Sequence, residues 1–209
     1  MPTRLLLARH GQTEWHAENR YAGTSEVELT RTGLAQADAL AEFVRGLDAA
    51  HRPTALYCSP QGRARATAQP AAAALGLSPR ISAELREVHF GVAEGRTLNE
   101  VRAQEPELVA RFRADPVHGA FPGSEPPADA AERGAKALRV IAAEAGDDVV
   151  LVVAHNTLLR LSLCLLLGIP LSTYRTVFPQ LGNCALTEIG IDGDRTALRR
   201  FNLPVDGGL

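Results

Sequence analysis

Arg4-Leu5-Leu6-Leu7-Ala8-Arg9-His10-Gly11 decides how the rest of the chain is read. An apolar run this short, closed abruptly by Arg, His and Gly, has the form of a buried strand entering a loop. A helical period follows. Leu34, Ala37, Ala41 and Val44 share one face of a helix from Thr30 to Leu47, with Thr30 as its N-cap. Thr54 to Cys58 is a second buried strand, and an alanine-rich helix from about Arg63 to Leu75 comes after it. Pro70 is expected to kink or restart that helix. Strand, helix, strand, helix in this order predicts an α/β fold with a mostly parallel sheet covered by helices.

The alternation lapses from Ile81 to Pro127 and then returns. Thr97-Leu98-Asn99-Glu100 has the form of a capping box, and Pro106 divides the helical stretch behind it. Pro116, Gly119, Pro122, Gly123, Pro126 and Pro127 make the following stretch a loop. We read residues 87–127 as a lid-like insertion over one edge of the sheet, with a surface excursion lacking function as the alternative. After Ala128 a helix runs to Ala145 and stops at Gly146, and Val149 to Ala154 is the most apolar strand. A helix apolar on nearly every side spans Thr157 to Leu167 and ends before Gly168 and Pro170. Cys184 to Ile191 and Thr196 to Phe201, joined through Asp192-Gly193-Asp194, form a terminal hairpin.

The 209 residues fit one domain, 1–209, able to bury its core without a disulfide or metal staple. Lys plus Arg number 22 against 24 acids, so no overall charge favours a nucleic acid partner. Cys58, Cys164 and Cys184 lack metal-ligand spacing and are read as reduced and buried. Leu158 to Leu171, the longest apolar stretch, is interrupted by Arg160, Ser162 and Gly168 and is too short to span a bilayer. The opening MPTRLLLAR is too quickly polar for a signal peptide. These features predict a soluble cytoplasmic protein with no membrane partner. Its oligomeric state, a homodimer included, stays open.

Two of the six histidines share a context. His10 and His155 each follow a buried strand directly, where an open α/β sheet places its ligand site. For one such histidine, a hydrogen-bonded structural role is the better reading. Two of them, with Arg9 beside the first, favour a site. Arg63 stands just beyond the second strand and is a candidate for the same crevice.

At these residues the chain resembles the histidine phosphatase superfamily, also called phosphoglycerate-mutase-like. Leu6 to Thr13 resembles its Arg-His-Gly signature, followed by Trp15, Asn19-Arg20, Gly23 and the stretch Leu29 to Ala37. Ser59 to Ala68 resembles its second block, Leu85 to Gly95 its acid-bearing block, and Val152 to Asn156 its second-histidine block. The resemblance runs over nearly the whole chain and implies a three-layer αβα sandwich.

It also implies roles. His10 is the nucleophile that takes the phosphoryl group, so a hydrogen bond must hold its other ring nitrogen. Arg9, Arg63 and His155 surround the phosphate, joined by Gly11, Asn156, His16 and backbone N–H groups at the start of the helix after His155. Glu87 protonates the leaving oxygen and then assists water, which requires a buried carboxyl. No metal and no organic cofactor is implied, and the partner is a small phosphorylated metabolite.

The chain also departs from the family pattern. His16 replaces a frequent Asn, and its protonation is expected to affect binding. Gln61 replaces a usual Leu, Ala93 an aromatic and Asn156 a common Gly, while a Gly-Gly-Glu-Ser element survives only as Pro122-Gly123-Ser124-Glu125-Pro126. His51, His89 and His118 are read as surface or supporting residues.

A phosphomonoesterase is the first reading. A phosphoglycerate mutase on the same scaffold is the second, and a silent phospholigand-binding module the third. A zinc hydrolase on His10, His155 and Glu87 lacks a His-Glu-x-x-His pair to support it. Against the mutase, the insertion holds Arg96, Arg102, Arg111 and Arg113 but no adjacent pair. The tail from Pro204 to Leu209 has no cation, and Phe90 stands where mutases carry a Tyr.

Overall fold

β1 (Thr3–Arg9) lies inside the sheet, and its alternation accounts for the layers on either side. Leu5 and Leu7 join Leu138, Val150, Val152 and Leu159 in one core. Leu6 and Ala8 join Leu40, Val44, Leu56 and Ala68 in the other. A strand of period 2 that is apolar on both faces needs a helical layer above and below. The computed structural model, which describes residues 2–205, is accordingly a three-layer αβα sandwich.

β1 is followed by α1 (Arg31–Gly46), β2 (Ala55–Cys58), α2 (Gly62–Leu75) and the two-residue β3 (Arg80–Ile81). α3 (Leu98–Gln104) and α4 (Pro106–Ala114) precede α5 (Pro127–Ala145), β4 (Val149–Ala154) and α6 (Asn156–Leu166). α7 (Tyr174–Val177), β5 (Leu186–Asp192) and β6 (Arg195–Leu203) close the order. The sheet runs β3-β2-β4-β1-β5-β6. β3, β2, β4 and β1 pair in parallel, whereas β5 pairs antiparallel with both β1 and β6. Every residue of β4 is buried. At about 1.5–3 kcal/mol for each buried Val or Leu, this strand holds the two cores together.

Several expectations are corrected. Leu34 is 51% exposed, and the buried stripe of α1 is Gly33, Ala37, Leu40, Ala41 and Val44. The phase is set by Gly33, whose Cα lies so close to the loop after β1 that a Cβ there would stand 2.1 Å from the Gln12 carbonyl oxygen. Thr30 caps α1 as anticipated, its hydroxyl accepting from the Gly33 N–H at 3.0 Å. α2 does not restart at Pro70 but runs through it as one helix to Gly76, which ends it at φ +67°. The terminal hairpin forms as β5 and β6, and β5 also continues the main sheet through β1. Residues 98–104 and 106–114 are helical on either side of the break at Pro106, and Thr97 forms its capping box with Glu100. Val101, Leu108, Val109, Phe112 and Phe121 of the 87–127 segment are buried in the core on the α5 and α6 side. Among the described residues no helix is long and apolar enough to cross a membrane.

The register brings three strand ends together. Arg9 pairs with Ala154, and Cys58 with Val153. The His10 N–H donates to the Ala154 carbonyl and the Ser59 N–H to the Val153 carbonyl, each at 3.0 Å. His10, Ser59 and His155 therefore leave the sheet side by side. The chain enters at β1, moves outward to β2 and β3, and returns at β4 between them. A reversal of this kind opens a crevice beyond the carboxyl ends of the strands.

Candidate active site

A cleft of about 520 Å³ opens there. Arg9, His10, His16, Arg63, Glu87 and Asn156 line it. His155 does not. It is fully buried, with its ring 5.2 Å from that of His10. Gly11 is not in the lining either. Its N–H donates to Thr67 Oγ1 at 2.9 Å, and a Cβ there would stand 2.5 Å from the Gly33 carbonyl oxygen. Gly11 thus serves close packing on α1 and, through its carbonyl, the orientation of His10.

The His10 ring is 2.8 Å through Nδ1 from the Gly11 carbonyl oxygen, an acceptor, so Nδ1 carries the proton. Nε2 is then unprotonated, and Arg63 donates to it through Nε at 3.3 Å. Burial, followed by the charges of Arg9 and Arg63, holds the His10 pKa well below the usual imidazole range. The ring is a neutral nucleophile over the ordinary pH range. Asn183 anchors its backbone, donating to the His10 carbonyl at 2.8 Å.

Both arginines are fixed by backbone carbonyls. Arg63 donates to Ser25 and Gly23, each at 2.7 Å, and Arg9 donates to Leu181 at 2.9 Å. Burial pulls the Arg9 pKa down to about 10, so the side chain stays protonated at neutral pH. Its Nε is buried without a partner, and so is Nδ1 of His155. Unpaired buried polar atoms are costly, and these two lie beside the cationic cleft.

His16 packs its Nε2 against the Arg9 guanidinium, with Nδ1 2.8 Å from Thr13 Oγ1. Burial and then Arg9 lower its pKa to about 4. In the free cleft, therefore, the His16 ring is neutral near neutral pH.

Glu87 is 6% exposed. Its Oε1 accepts from the N–H groups of Leu158 at 2.9 Å and Val88 at 3.0 Å, and Oε2 from Thr157 at 3.1 Å. Two N–H groups at the start of α6, those of Thr157 and Leu158, are thus committed to the carboxylate, and the N–H of Asn156 is not among them. The helix dipole and its free donors suit either anion, and Glu87 takes these two.

Sequence reasoning missed several supporting residues. Ser59 Oγ lies 2.7 Å from His155 Nε2. Buried Gln61 accepts from the Glu87 N–H at 2.8 Å and donates to the Gly23 carbonyl at 2.8 Å, so it ties the acid to the segment that holds Arg63. Arg160, Arg175 and Tyr21 also line the cleft. Arg160 had a signal, a charge inside an apolar helix one turn after Asn156. Arg175 had none. Arg96, Arg102, Arg111 and Arg113 are absent from the lining. His89 and His118 are exposed, and the three cysteines are free and buried, as read from sequence. Among the described residues no three His, Cys, Asp or Glu side chains gather to hold a metal ion.

The model of the histidine phosphatase superfamily (branch 1) matches residues 5–204. "Probable phosphoglycerate mutase GpmB" of Erwinia tasmaniensis is 31% identical over 88% of this chain and 83% of its own. "Putative phosphoserine phosphatase 2" of Hydrogenobacter thermophilus is 29% identical over 95% of each chain. The structure of a mycobacterial glucosyl-3-phosphoglycerate phosphatase in complex with VO3 superposes with a TM-score of 0.85 at 28% identity, over 96% of this chain and 99% of that one. The chain belongs to the histidine phosphatase superfamily, and it is an enzyme of that superfamily with phosphatases among its neighbours.

Proposed function

We propose that this enzyme is a phosphomonoesterase that hydrolyses a small phosphorylated metabolite through a phosphohistidine on His10. The observation that carries the reading is the His10 ring itself, with Nδ1 held by the Gly11 carbonyl and Nε2 bare beside Arg63. Nε2 attacks phosphorus and the ester P–O bond breaks, while Glu87, which enters this step in its protonated form, gives that proton to the departing oxygen and is left as the carboxylate. Arg9 and Arg63 offset the charge on the transferring oxygens, with His155 and Asn156 next to them. Water then attacks the phosphohistidine, Glu87 takes its proton, the P–N bond breaks and inorganic phosphate leaves. No step calls on a metal or an organic cofactor. The free buried cysteines support a reducing, cytoplasmic setting. The chain works as one domain, with residues 87–127 supplying Phe90 and Leu98 to the cleft as a cover.

Hydrolysis is preferred to mutase chemistry because the four arginines of the 87–127 segment stay out of the cleft. The purified enzyme is expected to release inorganic phosphate from phosphomonoesters, with a strong chelator present, and to form an acid-labile phosphoenzyme. Isomerisation of 3-phosphoglycerate should be negligible even with 2,3-bisphosphoglycerate supplied. Efficient isomerisation with little phosphate release would overturn the hydrolase reading.

A further inference from the structure

The cleft holds more positive charge than one phosphate needs. Arg9, Arg20, Arg63, Arg160 and Arg175 line it against the single carboxylate of Glu87. Arg20 is neutralised by Glu18 and Glu100 at the rim. Arg9 and Arg63 belong to the nucleophile. Among the described residues neither Arg160 nor Arg175 forms an ion pair with a carboxylate.

Arg160 is 3% exposed, and its Nε is buried without a hydrogen-bond partner. The guanidinium lies over the Tyr174 ring, 5.0 Å from its centroid. A cation–π contact of this kind holds the guanidinium without using its N–H donors. Arg175 makes the same kind of contact with Phe112, at 5.2 Å, and its side chain hydrogen-bonds Tyr21 and Tyr174. Leaving the Arg160 Nε–H buried without an acceptor is costly, and a bound anion removes that cost. Asn156 lies one turn before Arg160 on α6, and both side chains line the cleft.

We propose that Arg160 and Arg175 form a second anion subsite, and that the substrate is a small phosphomonoester carrying another anionic group. The substrate class rests on the phosphatase reading, whereas the subsite does not. A carboxylate and a second phosphate both satisfy a guanidinium pair.

The test is calorimetric binding to the His10→Ala protein, which cannot turn a ligand over. Three ligands are compared: glycerol 3-phosphate, 3-phosphoglycerate and ethylene glycol bisphosphate. At least one of the latter two should bind tenfold or more tightly than glycerol 3-phosphate, and the tighter of them identifies the group. That advantage should shrink to threefold or less when Arg175→Gln is added. Arg175 is exposed, so this substitution is compatible with folding, and Arg160→Gln is the companion variant. Equal binding of all three, or an advantage that survives Arg175→Gln, overturns the subsite. The two readings fail separately. Wild-type enzyme that hydrolyses all three with equal kcat/KM would keep the phosphatase reading and remove the subsite. Selective binding without any phosphate release would do the reverse.

Discussion

The Glu87 carboxylate accepts the N–H groups of both Thr157 and Leu158, so the acid is fastened to the helix that begins directly after His155. Residues from two distant segments thus move as one unit. The geometry of the acid relative to His10 depends on β1 and β4 staying in register.

His10→Ala should lower phosphate release by on the order of a thousandfold or more and abolish acid-labile labelling, because the other imidazole lining the cleft, His16, has both ring nitrogens engaged by Arg9 and Thr13. Phosphate release assays and acid-quenched labelling read this directly. A variant that keeps full activity rules out the covalent route.

Glu87→Gln should slow alkyl phosphates by roughly 10²–10⁴-fold and p-nitrophenyl phosphate far less, since a nitrophenolate leaves without a proton. Gln retains one carbonyl oxygen for the α6 N–H groups, so loss of the fold should not cloud the comparison. Equal losses on both substrates would make Glu87 a structural residue.

Stability should fall on the acid side. His10, His155 and His16 are all held below the ordinary imidazole pKa, chiefly by burial, and His16 sits at about 4. The unfolded chain takes up protons near pH 6.5 that the folded chain refuses, so stability rises with pH through this window and levels above it. Each buried imidazole contributes a slope of up to about 1.4 kcal/mol per pH unit. Chemical denaturation at pH 7, 6 and 5 should show a progressive loss, made shallower by His16→Asn. A flat profile would mean that the imidazoles titrate normally in the fold.

Gly33→Ala should destabilise the protein by about 1–3 kcal/mol, because the new Cβ would meet the Gln12 backbone rather than a movable side chain. The same push displaces the loop that carries Gly11, so kcat/KM should fall as well. Unchanged stability in a urea titration would show that α1 does not press on the loop after β1.

The order of strands and helices was legible because period and end signals are local. Thr30, Thr97 and Gly76 act within one turn of their helices, and the apolar runs at Leu5 and Val149 need no partner to be recognised. Two histidines directly after such runs were enough to locate the crevice, since parallel strands end on one side. Local signals do not say which donor meets which acceptor across the chain. The first N–H groups of α6 were assigned to a ligand, and the tertiary structure gives two of them, on Thr157 and Leu158, to the Glu87 carboxylate. Leu34 and Ala37 have equal claim to a helical stripe by period alone, and the backbone contact of Gly33 with Gln12 decides between them. Arg160 and Arg175 reach the cleft only because α6 and α7 pack beside it. The sequence by itself determined the layered fold and its chemical centre, as both follow from short-range pattern. The tertiary structure alone decided the protonation of His16, the anchoring of Glu87 and the second pair of arginines, because burial and the proximity of distant charges arise only when the layers close.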